Sequence, residues 1–156
     1  MKQQIATTRE QSNKLLELGI NSNTADMSWH FTNSKSESLQ WELKTNPLVT
    51  KENFFGKIEK LASPLHKHSD GSPMTGEEVF DKIWGKDLPA WSLGALIKLL
   101  PETIDTYKRF RIAIRHNEII YLNYTEVFHF EEEDDIFDNC INMIVWLVKN
   151  NVLKVE

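Results

Sequence analysis

This sequence predicts an α+β fold, and three observations predict it. Apolar residues recur at helical spacing behind capping residues at Thr7 or Thr8, Thr75 and Ser92, and behind the five acids at 131–135. Residues 39–43 and 110–124 instead alternate apolar and polar side chains, the period of a half-buried strand. The helical stretches lie mostly before and after the strand-like ones rather than between them, which argues against βαβ units. The expectation is one domain over residues 1–156, with a small antiparallel sheet of three to four strands packed against several helices.

The elements follow in order. Thr7 or Thr8 opens a first helix, with Glu10 or Gln11 three positions on as a capping box. Leu15, Leu16 and Leu18 give it an apolar side, and Gly19 suits its C-terminal end. Asn21-Ser22-Asn23-Thr24 is turn chemistry, and Ala25-Asp26-Met27-Ser28-Trp29 reads as a single short turn that lays Trp29 on the core. Residues 30–38 read as a polar loop. Leu39, Trp41 and Leu43 then alternate with Gln40, Glu42 and Lys44, and Pro47 closes that strand.

A second helix is expected after Thr50, with Phe54, Phe55, Ile58 and Leu61 on one face and Pro64 beyond its end. Residues 63–74 read as the loosest loop. Thr75-Gly76-Glu77-Glu78 is the clearest capping box, and its helix carries Val79, Phe80, Ile83 and Trp84 before Gly85. Ser92 caps a short helix with Leu93, Leu96, Ile97 and Leu100 on one face, stopped by Pro101.

Phe110, Ile112 and Ile114 alternate with Arg111, Ala113 and Arg115, His116-Asn117 supplies a turn, and residues 119–124 return as the second arm of a hairpin. Val127, Phe128 and Phe130 suit a third short strand. The five acids at 131–135 suit the start of the last helix, where the helix dipole favours negative charge. Residues 136–148 are apolar nearly all round, so this helix is expected to be central and to cover one sheet face.

Composition bounds the function classes. A chain of 156 residues with 40% hydrophobic and 26% charged residues can bury one substantial core. Five Trp and eight Phe supply bulky anchors for it. No apolar run reaches the roughly 20 residues that a membrane-spanning helix needs. The residues after Met1 carry no apolar signal region, and Cys140 is the sole cysteine, so a cytoplasmic location is expected. A net charge of −5 weighs against broad binding to nucleic acid.

Four groups of residues invite a chemical reading. His66-Lys67-His68-Ser69-Asp70 resembles the His-x-His-x-Asp cluster of zinc hydrolases, with His66, His68 and Asp70 as ligands of a metal-dependent hydrolase. Gly71 stands where that pattern needs a further histidine, and a solvated loop accounts for the segment. Ala90-Trp91-Ser92-Leu93-Gly94 spells Ala-x-Ser-x-Gly, close to a hydrolase nucleophile elbow. No apolar parallel strand precedes it, and an N-cap role explains Ser92, leaving Gly94 to permit close helix packing.

Lys108, Arg109, Arg111 and Arg115, interleaved with Tyr107 and Phe110, form the only basic patch and would suit nucleic acid, phosphates on the arginines and bases on the rings. A solvated strand face whose arginines pair with Glu118 and Glu126 accounts for the same residues. The acids at 131–135 lack the glycine and alternating ligands of an EF-hand loop. Cys140 reads as core, His30, His116 and His129 as scattered, and the six glycines spell no nucleotide loop, so neither catalytic residues nor a cofactor are expected.

Three segments carry a resemblance. They are Thr8-Arg9-Glu10-Gln11-Ser12 through Leu18-Gly19 with Thr24-Ala25-Asp26-Met27, the block from Leu88 to Leu96, and Asn142-Met143-Ile144-Val145-Trp146-Leu147. Together they resemble a family of small uncharacterised proteins from prophage-like and mobile regions of gut anaerobe genomes. The resemblance implies a bacterial or phage context and an accessory role, and it brings no activity or catalytic residue. The expected function is a non-enzymatic cytoplasmic accessory protein of a mobile element that acts through a protein partner. Trp41, the Phe54-Phe55 pair or Tyr124 are the candidates for an exposed apolar patch. The alternatives are nucleic-acid binding through residues 107–116 and the metal-dependent hydrolase.

Overall fold

The computed structural model describes residues 3–104 and 109–155. Among them are four α-helices and two antiparallel sheets in one α+β arrangement. The helices are α1 (Arg9–Glu17), α2 (Gly76–Trp84), α3 (Leu93–Leu99) and α4 (Ile136–Lys149). One sheet has the order β2 (Trp41–Lys44), β1 (Met27–Phe31), β3 (Leu88–Ala90); the other runs β4 (Thr103–Ile104), β5 (Phe110–Arg115), β6 (Glu118–Leu122), β7 (Val127–Glu132). No helix among the described residues is long and apolar enough to cross a membrane.

The capping residues read from the sequence do their expected work. The Thr8 hydroxyl accepts from the Gln11 backbone N–H, and the Gln11 side chain accepts from the Thr8 N–H. Thr75 and Glu78 form the same reciprocal pair at α2. Gly19, just past α1, sits at φ +87°, a conformation that costs an L side chain about 1 kcal/mol or more. Gly76 is required for a different reason. A Cβ there would stand 2.0 Å from the Ile58 carbonyl oxygen, so only glycine lets the start of α2 meet that backbone. At Gly94 a Cβ would meet only Ser92 Oγ, at 3.7 Å, and close packing does not explain that glycine.

The expected turn at 25–29 is a strand. β1 pairs on both sides, with Trp29 opposite Leu43 in β2 and Met27 opposite Ala90 in β3, while the turn itself is a 3-10 helix at Ser22–Thr24. The loop expected at 30–38 is correspondingly shorter, since His30 and Phe31 belong to β1 and Glu37–Leu39 forms another 3-10 turn. β3 contains Pro89, which can give no ladder hydrogen bond, and it accordingly lies at a sheet edge.

The helix expected after Thr50 does not form. Asn53 accepts from the Thr50 N–H and donates to the Leu48 carbonyl, and Thr50 Oγ1 accepts from the Asn53 N–H. Such local side-chain bonds offer the backbone an alternative to the helix, and Gly56 weakens propagation. What remains is a short 3-10 helix, Ile58–Leu61. The two phenylalanines expected on one face divide. Phe54 packs against Phe80 and Trp84 of α2, with ring centroids 5.7 and 5.4 Å away, while Phe55 is 97% exposed.

The main core gathers Leu15 of α1, Trp91, Leu96 of α3, Phe110, Ile119 and Tyr121 of the larger sheet, and the apolar side of α4 from Phe137 to Leu147. α4 covers one face of the larger sheet through β6 and β7, as expected of it. The run of acids divides differently: Glu131 and Glu132 finish β7, and only Asp135 caps the helix, accepting from the Phe137 N–H. β7 also carries one extra residue. Tyr121 pairs with His129 but Leu122 pairs with Val127, so Phe128 is bulged and two consecutive side chains, Phe128 and His129, both pack on Trp146.

The segments that carry the resemblance meet in space. The Thr7 backbone bonds Trp91 (N to O, 2.8 Å), and the buried Thr7 hydroxyl accepts from the Trp91 N–H at 3.0 Å and pairs with Ser12 Oγ at 2.8 Å. Trp91 Nε1 donates to Thr24 Oγ1, and Trp29 Nε1 to the Thr7 carbonyl, each at 2.9 Å. Gln11 donates to Asp138 of α4 at 2.7 Å. These residue types are explained by a joint between the N-terminal segment and the 88–96 block, whose Leu15, Trp91 and Leu96 share the main core with Met143, Ile144 and Leu147 of α4.

Candidate functional site

β5 and β6 are joined by the two-residue turn His116-Asn117, so Arg115 faces Glu118 and, four pairs along, Arg111 faces Leu122. Side chains alternate across the sheet, and with Ile119 and Tyr121 committed to the core, Arg111, Ala113, Arg115 and Phe130 belong to the face turned away from α4. At the end of that face, where β6 turns into β7, lies an open cleft of about 670 Å³ lined by Arg109, Arg111, Leu122, Asn123, Tyr124 and Thr125.

The cleft is held by its turn. Asn123 Oδ1 accepts from the Thr125 N–H, the Thr125 hydroxyl and the Glu126 N–H at 2.9 to 3.0 Å, and the Asn123 N–H donates to the Glu126 carbonyl. Tyr124 sits inside this locked turn with its ring fully exposed. Arg109 has φ +41°, which few non-glycine residues adopt and which tends to persist where the surroundings or a function demand it.

The four basic residues proposed from the sequence do not act as one patch. Lys108, like Tyr107, lies outside the described residues. Arg115 is held by Glu118 at 3.0 Å, as a solvated strand face would have it. Arg109 and Arg111 line the cleft, are exposed, and have no carboxylate partner among the described residues. Leu122, Asn123 and Thr125 line the cleft without a signal in their residue types, although the two-residue turn already places Leu122 beside Arg111.

The metal candidates are not brought together. His68 Nε2 contacts Glu78 at 3.2 Å, a carboxylate already engaged in capping α2, and Asp70 accepts from the Ser72 N–H and hydroxyl, which lowers its pKa. The expected loose loop is a tight hairpin closed by His68 N to Ser72 O and Met74 N to His66 O. Among the described residues no three His, Cys, Asp or Glu side chains are grouped to hold a metal ion.

Ser92 caps α3 by accepting from the Ala95 N–H, and its own hydroxyl donates to Asp26 Oδ2, so its proton faces a carboxylate rather than a base histidine. His30 has an acid partner that sequence reasoning missed. Its Nδ1 lies 2.8 Å from Asp87 Oδ2, and Asp87, whose side chain is 4% exposed, also accepts from the Phe31 N–H. The two are 57 residues apart with no motif between them, and the contact ties the end of β1 to the approach to β3.

Cys140 is fully buried, and its thiol is pushed up to about 12 by burial and by the charge of Asp135. The thiolate is the reactive form, so a neutral aromatic disulfide reagent at pH 8 is expected to leave the native protein unmodified and to titrate one thiol after unfolding in guanidinium. Rapid native labelling would contradict this burial. Comparison with protein-family models, with curated proteins and with solved structures finds no match to this chain.

Proposed function

We propose that this chain is a non-enzymatic binding protein and that its recognition site is the cleft of Arg109, Arg111 and Tyr124. The observation that carries this reading is the pair of exposed guanidinium groups without a carboxylate partner among the described residues, beside an exposed aromatic ring carried on a hydrogen-bonded turn. A guanidinium group carries a positive charge and binds carboxylate or phosphate oxygens through paired N–H donors. The partner therefore carries negative charge where it touches the protein, a condition met by an acidic protein segment or by nucleic acid. The cytoplasmic location and the accessory role in a bacterial mobile element belong to the same proposal, the first supported by the single buried thiol and the second by the resemblance of the three segments.

The test uses fluorescence anisotropy with two labelled probes, an oligo-glutamate peptide and an oligothymidylate, at 50 mM salt. At least one is expected to bind, and Arg109→Ala with Arg111→Ala to weaken it tenfold or more. If neither probe binds, or if the double variant binds as well as the native chain, the cleft is not a recognition site.

A further inference from the structure

We infer that the ligand of this cleft is a nucleotide unit, its phosphate held by Arg109 and Arg111 and its base stacked on Tyr124. The inference rests on the binding reading above and goes beyond it by naming the ligand chemistry. Two features of the cleft are not explained by negative charge alone. The first is Tyr124. A ring left fully in water contributes nothing to the core, and here it sits in a turn fixed by three hydrogen bonds to one amide oxygen. The backbone that carries it is therefore set before anything binds, and only the side chain's own rotation is lost on stacking. The second is Leu122, paired with Arg111 across the β5–β6 ladder and two residues before Tyr124, which adds an apolar side chain to the lining.

An acidic peptide such as oligo-glutamate offers carboxylates but no aromatic ring to stack on the tyrosine. A nucleotide offers both, a phosphate that accepts paired guanidinium donors and a base whose apolar face stacks on an aromatic side chain. The volume of about 670 Å³ falls within the range of small-molecule sites, and the cleft is open, so the unit can be free or one member of a single strand. Double-stranded DNA would present its bases stacked against each other and is not expected to use the tyrosine.

The experiment compares a fluorescein-labelled oligothymidylate of ten residues with the same backbone lacking its bases, and adds unlabelled thymidine monophosphate, inorganic phosphate and oligo-glutamate as competitors. The oligothymidylate is expected to bind about five- to hundredfold more tightly than the abasic strand, a difference that Tyr124→Ala abolishes and Tyr124→Phe preserves. Two phosphate contacts on a single strand predict about a tenfold loss of affinity from 50 to 300 mM salt, largely removed in the Arg109→Ala, Arg111→Ala variant. Thymidine monophosphate competing as well as the oligomer, per molecule, assigns the site to a free nucleotide, and a tenfold or greater advantage of the oligomer assigns it to a single strand. Both outcomes support the inference. Equal binding of the normal and abasic strands, or displacement by oligo-glutamate and not by thymidine monophosphate, overturns it and leaves an anion-binding cleft. Failure of every probe overturns the binding reading as well. All three side chains are exposed, so unchanged melting of the variants separates loss of binding from loss of folding.

Discussion

Trp91→Ala is expected to destabilise the protein by about 3–5 kcal/mol, the range for truncating a fully buried tryptophan. Trp91 has no exposed surface, lies in the main core, and donates its indole N–H to Thr24 at 2.9 Å. Removing it leaves a cavity where the N-terminal segment, the turn at Ser22–Thr24 and the start of α3 meet. Against a total stability of about 5–15 kcal/mol that loss is large, and for a chain of this size it corresponds to a melting temperature lower by about 6–20 °C. Trp91→Phe separates packing from hydrogen bonding. It keeps most of the ring and loses the N–H, so it should cost about 1–2 kcal/mol. Thermal and urea denaturation followed by circular dichroism measure both. A melting point for Trp91→Ala within about 2 °C of the native value would show that the residue does not hold this joint together.

Trp91 also shows how far the sequence could be read. Its block was legible as packing because the determinants are local. Ser92 caps three residues ahead, Leu96 falls on the buried side, and Thr8, Gln11, Thr75 and Glu78 close their helices within one turn. The β5–β6 hairpin was legible for the same reason, since a two-residue turn fixes the register of both arms. Pairing at a distance was not legible. β1 lies between β2 and β3, whose partner residues are 10 or more and about 60 positions away, and nothing in Met27-Ser28-Trp29-His30-Phe31 names those partners. The His30–Asp87 contact has no local signal for the same reason. The helix expected after Thr50 does not form because the Thr50–Asn53 side-chain bonds and Gly56 outweigh the apolar spacing. The cleft was half legible. Arg109 and Arg111 were named for their charge and Tyr124 for its apolar surface, but only the turn geometry unites them. The division of the arginines, Arg115 to an ion pair and the other two to the cleft, follows from which end of the hairpin holds Glu118.

Thr7→Val carries the second large expected effect, and it tests whether the buried joint is a network or a set of separate contacts. Valine keeps the shape of threonine and removes its hydroxyl, so the change is chemical rather than steric. The hydroxyl serves two partners, accepting from the Trp91 N–H and pairing with Ser12 Oγ, and Thr7 and Ser12 are both wholly buried. Its loss strands a buried N–H and a buried hydroxyl, which costs about 1–3 kcal/mol. Ser12→Ala leaves Thr7 still bound to Trp91 and should cost less. Once Thr7 is valine, the serine hydroxyl has lost that partner, so removing it as well should cost little more or even relieve the penalty. The double variant is therefore expected to be about 1 kcal/mol more stable than the sum of the single changes implies. Independent sites add to within about 0.3–0.5 kcal/mol, so additivity within that margin in urea denaturation would refute the network. The joint and the cleft have no residue in common, so Thr7→Val should leave oligothymidylate affinity unchanged at temperatures where the variant is folded. A loss of binding in the folded variant would mean that the arginine cleft depends on the N-terminal segment through contacts not seen in this fold.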